Sequence, residues 1–462
     1  MKRLVLIPLA AALLAASPVA AIDYSPATLR AIQLLEADKG KEGLAALEAA
    51  AARNDVSALD MLALIYLEAD QPDVALTQAE AAVRLAPGDA QVLVTRGKAF
   101  AALSQRDKAR ADFDKVLAAG PDASALYERG ALLSNSGDHE KALADYRRAF
   151  QVDPERHDAL AASAFELEVL RRPDEALAAW DLLIRLGNTS AFVMSRRGKL
   201  LVEEGKLEEA TASFEAAAKA EPKDADVQVS LGAVWERRGD YRRAQAAYST
   251  ATRMDPKNVY GWWNLARLLE ADGRVKPAFA AYDRAVALDP VNALLLADRG
   301  AALFDAGDER ALSDFNAAVR ADPKSAYALN VRGYYFLESD ELTKALADFD
   351  AALSIEADHD SALANRARVL LALNRHDRAL ADVDRAIKIS REAYYLVIKG
   401  EIYRAMGDHL QAVEAFDEAI ALDPNYAEAW LLRSKSKAEL GDTAAAAADR
   451  AKALKLDPSL AG

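Results

Sequence analysis

Cysteine is absent from all 462 residues. An exported protein of this composition would therefore be held by packing alone, without disulfides, and a lipid anchor that needs a cysteine at the cleavage site is excluded. Aromatic residues are scarce at 7% while alanine is abundant throughout, a balance that favours close-packed helices over sheets or disorder. Beyond the first 22 residues no run approaches eighteen uninterrupted apolar residues, so no later segment reads as membrane-spanning. Also missing are a glycine-rich phosphate loop, a nucleophile elbow and a His-Glu metalloprotease helix, which removes the common signatures of phosphoryl transfer, acyl transfer and zinc proteolysis.

What stands at the start is Lys2 and Arg3, an apolar stretch from Leu4 to Ala16, and then Ser17, Pro18, Val19, Ala20 and Ala21. This is the pattern of a secretory leader, with small residues at Val19 and Ala21 suited to cleavage before Ile22. The other reading, an uncleaved anchor, has nearly the length to span a bilayer but is opposed by Pro18 and the small residues. Residues 1–21 are thus expected to be removed. That leaves 56 basic against 72 acidic residues, a balance that disfavours nucleic acid as a partner. The expected location is the periplasm, with secretion to the medium as the second possibility.

The rest of the chain is periodic. Pro87, Pro121, Pro154, Pro222, Pro256, Pro290, Pro323, Pro424 and Pro458 are spaced by 33 or 34 residues or by multiples of that, and Asn188, Ala357 and Ser390 fill the gaps in register. In the clearest unit, Trp262, Leu265, Ala266 and Leu269 stripe a first helix, Gly273 ends it, Ala278, Tyr282 and Ala285 stripe a second, and Asp289-Pro290 closes the unit. Small residues recur where two helices must approach, as at Gly97, Gly130, Gly232, Gly300, Gly333 and Gly400, each facing an alanine of the second helix such as Ala109 or Ala345.

This period and internal pattern resemble the tetratricopeptide repeat. The resemblance implies an all-α fold, an α-solenoid in which about thirteen helical hairpins stack as a right-handed superhelix with first helices on the concave side. Residues 22–55 read as a degenerate N-terminal repeat that keeps Ala31 and Gly43 but lacks the closing proline. Residues 56–460 read as twelve tandem units, ending in a polar capping helix where Arg450 replaces the usual bulky residue. No stretch is left over for a catalytic domain, so no enzyme activity and no cofactor are expected.

One pattern within the chain goes further. Arg96, Arg129, Arg299, Arg332, Arg366 and Arg433 precede the small residue of their first helices, and the same units carry Asp112, Asp145, Asp314, Asp348, Asp382 and Asp449 on the second helix. Units lacking the arginine lack the aspartate, while Arg197 and Lys399 face Ser213 and Ala415. The co-occurrence predicts a salt bridge inside each of six hairpins. Binding of an anionic ligand is the alternative role for these arginines. The five histidines, His139, His157, His359, His376 and His409, fall in turns or at helix starts, too far apart from repeat to repeat to share a metal ion. Acidic pairs such as Glu203-Glu204 read as solvated helix faces.

If the stripes face inward, positions one and five after the first-helix bulky residue point to the concave surface. In the middle of the array these are Trp263 and Arg267, Ala297 and Ala301, Asn330 and Tyr334, Ala364 and Arg368. Phe304 lies on the same flank, Tyr260 and Tyr327 open nearby helices, and Asn365 is of a suitable type. Tyr260, Trp263, Arg267, Phe304, Asn330, Tyr334, Asn365 and Arg368 are therefore the candidate partner-binding residues. The family resemblance implies capture of an extended peptide or protein, here of the cell envelope, although the lysine-asparagine spacing of a carboxylate clamp is absent. Two other readings stay open: a small molecule or glycan stacked on the same aromatics, and simple packing of Trp263 and Tyr334 on their neighbours.

Overall fold

The computed structural model describes residues 24–37 and 39–461, and the expected leader, 1–21, lies outside them. Among the described residues there are no strands, and 26 α-helices pair into thirteen hairpins. Numbered in order, they cover 26–51, 56–85, 90–119, 123–152, 157–185, 191–220, 225–254, 259–288, 293–321, 326–355, 360–389, 393–422 and 427–456. The chain divides at Pro222 into two compact units, with hairpins one to six in the first and seven to thirteen in the second. No described helix is long and apolar enough to cross a membrane.

Local sequence dictates where each helix starts and stops. First helices are capped by Asp55, Asp89, Asp122, Ser190, Asp224, Asn258, Asn292 and Ser325, whose side chains accept from a backbone N–H three residues on. These caps satisfy donors that the helix leaves orphaned. At the turn inside the eighth hairpin Gly273 takes a left-handed φ of 70°, a conformation that costs side-chain-bearing residues about 1 kcal/mol or more.

Within each unit, every second helix packs on its own first helix and on the first helix of the next hairpin. First helices of neighbouring hairpins also touch, as between the ninth and tenth, whereas second helices of neighbouring hairpins meet at most marginally. In unit two this puts the first helices on the side where hairpins approach most closely.

The hairpin interior is built on one recurring fit. Gly333 lies against Phe349, which is fully buried, and a Cβ on that glycine would come within 2.8 Å of the ring. Gly130 with Tyr146, Gly198 with Phe214 and Gly300 with Phe315 repeat the arrangement. In the second and eleventh hairpins the second-helix residue is smaller, Ala79 or Val383, and the first helix carries Ala63 or Ala367 instead of glycine. Each glycine at this place faces a ring, and the close fit leaves no spare volume there; the fifth and eighth hairpins instead set Ala164 and Ala266 in the clusters of Trp180 and Tyr282.

The six expected salt bridges are all present. Arg332 donates through Nε and Nη2 to both Asp348 oxygens at 2.8 and 2.7 Å. The same fork appears at Arg96–Asp112, Arg129–Asp145, Arg299–Asp314, Arg366–Asp382 and Arg433–Asp449. In Arg129, Arg299, Arg332, Arg366 and Arg433 the remaining guanidinium nitrogen reaches back to the second helix of the preceding hairpin, to Asp114, Asp283, Asn316, Asp350 and Asp417 respectively. Arg197 and Lys399, whose own hairpins carry Ser213 and Ala415 in place of the aspartate, keep this backward arm to Asp181 and Asp384 at 2.6 and 2.8 Å, and Arg197 also donates to Ser213 at 2.6 Å. The cation therefore ties successive hairpins together as well as the two helices of one hairpin.

Candidate functional site

The predicted groove residues separate into three groups in unit two. Trp263 and Tyr260 stack with ring centroids 6.2 Å apart, and Trp263 Nε1 donates to Asp298 at 2.9 Å. Tyr327 donates its hydroxyl to the other Asp298 oxygen at 2.7 Å, and Arg267 Nε lies 3.7 Å from the same carboxylate. Asp298 thus joins side chains from three hairpins. A second group holds Phe304 edge-on to Tyr334 at 6.0 Å, with Arg368 over the Tyr334 ring and paired to Glu338 at 2.9 Å. The third is an amide pair, Asn365 Nδ2 donating to Asn330 Oδ1 at 3.2 Å, with both residues buried.

Several expectations change. The position one past the bulky residue does not open onto solvent: Ala297 and Ala364 are fully buried and Asn330 nearly so, because neighbouring first helices close over it. The hydrogen-bonding capacity of Asn330 and Asn365 is turned on each other. Trp263 is half-buried, packed beside Ala266, Tyr282 and Leu295, so it belongs to the fold as much as to the surface. Of the other tryptophans, Trp180 is fully buried, while Trp235, Trp262 and Trp430 are half-buried. Tyr260 and Arg267 are exposed.

A cleft of about 810 Å³ opens on this face and draws on hairpins seven to ten. It runs from Tyr241 and Asp272 at the hairpin-turn end to Tyr327, past Glu236, Arg267, Glu270 and Asp298. Tyr241, Arg267 and Asp272 are exposed, so the cleft is open to solvent. Its carboxylates are oriented from below: Tyr282, fully buried, donates to Glu270 at 2.7 Å, and Tyr248 donates to Glu236 at 2.8 Å. Burial raises the Glu270 pKa; its hydrogen bond from Tyr282 works against this, and the charges of Asp305 and Asp298 add to it.

Glu236, Glu270 and Asp298 escape the groove positions read from the repeat. A signal for two of them was present. Trp180, Tyr248 and Tyr282 each bond a glutamate twelve residues earlier, Glu168, Glu236 or Glu270. Where phenylalanine takes that second-helix place, the earlier residue is Ala101, Val202, Leu303, Leu337 or Arg404. A smaller cleft in unit one, about 600 Å³, is lined by Glu168, Arg196 and Leu200, with exposed Phe192 beside Phe165 and Trp180.

Asp60 in the second hairpin shows what burial does at the position equivalent to Trp263. It accepts from Gln91 Nε2 at 3.3 Å, its Oδ1 has no partner among the described residues, and it is almost wholly enclosed. Burial pushes its pKa up to about 6, against the pull of Thr95 and Gln91 and with the push of Asp89. A carboxyl whose folded pKa is raised costs nothing below its unfolded pKa near 4 and destabilises progressively as pH climbs toward 6. The full penalty above that window is about 3 kcal/mol. Asp60→Asn removes the charge but keeps a buried amide, so a gain of about 1–2 kcal/mol is expected at pH 7.5. Denaturant titrations at pH 7.5 and pH 4 check this, since the gain should vanish at pH 4.

Among the described residues no group of three or more histidine, aspartate or glutamate side chains is gathered as a metal site. With this geometry in place, comparison with curated proteins finds no match in sequence. Family models described as tetratricopeptide repeat match residues 123–156, 201–262, 236–293 and 297–361, and one described as TPR repeat matches 400–441. Among solved structures, the APC/C hetero-tetramer Cut9-Hcn1 is similar over 93% of this chain and 98% of that chain, at 15% identity and TM-score 0.51. A tetratricopeptide repeat protein from Parabacteroides merdae ATCC 43184 is 21% identical over 53% of this chain and 98% of its own, with TM-score 0.44. Yeast Tom70 is 17% identical over 79% of this chain and 92% of its own, with TM-score 0.40. The matched repeats together cover about half of the sequence, and the chain belongs to the tetratricopeptide repeat family.

Proposed function

We propose that the chain is a non-catalytic scaffold of the bacterial cell envelope that holds a protein or peptide on the first-helix face of unit two. The observation that carries this reading is the open cleft between Tyr241 and Tyr327. Four successive hairpins contribute to it, and exposed aromatic and arginine side chains rim it, the composition found at binding hot spots. Its openness favours an extended chain over a small molecule or glycan, which calls for an enclosed pocket. Placement in the periplasm, rather than in the medium, rests on the leader pattern of residues 1–21, and a mature chain beginning at Ile22 is the matching readout.

Trp263 is a poor test residue, since its removal would disturb the packing around Tyr282. Tyr241, Tyr260 and Arg267 are exposed, and exposed positions usually change stability by less than about 0.5 kcal/mol each. The triple variant Tyr241→Ala/Tyr260→Ala/Arg267→Ala should keep wild-type helicity and melting. In affinity capture from envelope extract it should lose at least about nine-tenths of the partner retained by the wild type, as expected when hot-spot side chains are truncated. Equal capture by both proteins would remove this face from consideration.

A further inference from the structure

We propose that the cleft in unit two receives a cationic side chain, lysine or arginine, from an extended peptide; the proposal rests on the reading of this face as a peptide-binding surface.

The cleft lining carries Glu236, Glu270, Asp272 and Asp298 against two cations, Arg242 and Arg267. Lysine and asparagine are both missing from the lining, and of its two arginines Arg267 already lies beside Asp298, so the carboxylates outnumber the cations free to meet a peptide's terminal carboxylate. Glu236 and Glu270 are held in place by the hydroxyls of Tyr248 and Tyr282, which lowers the ordering cost of engaging a ligand. Arg267 leans on Asp298, leaving Glu236 and Glu270 with tyrosine hydroxyls as their hydrogen-bond donors.

The electrostatics point the same way. After burial, which is the largest effect, Glu270 is pushed up by Asp305 and Asp298 against the opposing pull of Arg267. Tyr327 is likewise raised, first by burial and then by the charge of Asp298, with Arg267 opposing. A further positive charge entering between Glu270 and Asp298 would relieve that repulsion, whereas an anion would add to it. Tyr241, 61% exposed at the rim, offers a ring face to a guanidinium or ammonium. Carboxylates and an exposed aromatic at one cleft suit a cation better than a neutral sugar, which gains nothing from the charge.

The probe is an immobilised array of random-sequence dodecapeptides, read with the wild-type chain, with Glu270→Gln/Asp298→Asn and with Tyr241→Ala/Tyr260→Ala, which leaves Arg267 and so the charge of the cleft unchanged. Glutamine and asparagine keep an acceptor for Tyr282 and Tyr327, and circular dichroism verifies folding. Peptides retained by the wild type should be rich in lysine and arginine, and changing the key lysine to glutamine in a retained peptide should weaken binding roughly tenfold. In Glu270→Gln/Asp298→Asn that difference should shrink below about twofold. Should this variant misfold, salt serves instead, because wild-type affinity for the lysine peptide must fall with ionic strength more steeply than for its glutamine version. Retained peptides without a cation preference, or rich in acidic residues, overturn the proposal and leave peptide binding standing. Retention no better than that of Tyr241→Ala/Tyr260→Ala, with or without binding to a glycan array, overturns both.

Discussion

Phe349→Ala is expected to destabilise the protein by about 4 kcal/mol, since it empties a fully enclosed aromatic site that neighbours cannot refill. The more telling result lies at Gly333. Alone, Gly333→Ala gains about 1 kcal/mol of helix propensity but forces a Cβ into the Phe349 ring at 2.8 Å, an overpacking cost of about 1–3 kcal/mol. In the Phe349→Ala background the obstruction is gone, and the same substitution should stabilise by about 1 kcal/mol. The sign of one mutation is thus set by a residue on the other helix. Chemical denaturation of the four proteins of this cycle gives the coupling directly. An unchanged sign would mean that the ring moves aside freely and that the glycine has another purpose. The second and eleventh hairpins, with Ala63 beside Ala79 and Ala367 beside Val383, already contain the compatible combination.

The second large effect concerns the arginine forks. Asp348→Ala should cost about 3 kcal/mol, because Arg332, largely covered at 20% side-chain exposure, would keep its charge and lose its bidentate acceptor. Asn316 on the preceding hairpin supplies one carbonyl oxygen at 3.2 Å, which is too little to replace a carboxylate. Replacing the whole pair, Arg332→Met/Asp348→Leu, should be nearly neutral, within about 1 kcal/mol of wild type, since apolar residues of similar volume avoid the desolvation of two ions. Unfolding midpoints of the single and paired variants separate the two cases. If the paired replacement proved as damaging as Asp348→Ala, the fork would supply net stability beyond avoiding an orphaned charge.

The features legible in the sequence are those confined to one hairpin. Turn residues, inward stripes and the Arg–Asp partners all lie within about a dozen and a half residues of each other, whereas the small residues, read against second-helix alanines such as Ala109 and Ala345, meet the rings of Phe113 and Phe349 four residues further on. Thirteen in-register copies make such spacings conspicuous. Relations between hairpins were harder to see. Asn330 and Asn365 look like exposed recognition amides until the neighbouring first helix is set against them, whereupon both are buried and Asn365 donates to Asn330. The backward arms to Asp114, Asp283 and Asp350 were written in the sequence at nearly the same separation as the forward partners, yet the spacing points to the preceding hairpin. Asp298 was invisible for a different reason: its partners, Trp263 and Tyr327, come from hairpins on either side and share no fixed pattern with it.

The bridging guanidiniums also determine how disorder can spread along unit two. From the eighth hairpin to the thirteenth, each joint carries a cation bonded across it: Arg299, Arg332, Arg366, Lys399 and Arg433. The joint between the seventh and eighth carries Leu265 in that place. In a linear array whose members feel only their neighbours, the correlation length of unfolding depends on the strength of each joint. Melting that begins at one end of the bridged run is drawn through it as a block, while the joint between the seventh and eighth hairpins lacks this repeated cation and is held by Asn258 on Asp226 at 2.7 Å and Arg274 on Gln245 at 3.3 Å. The hairpin that supplies Tyr241 and Glu236 to the cleft thus sits where the run of repeated cations ends and a different set of bonds takes over.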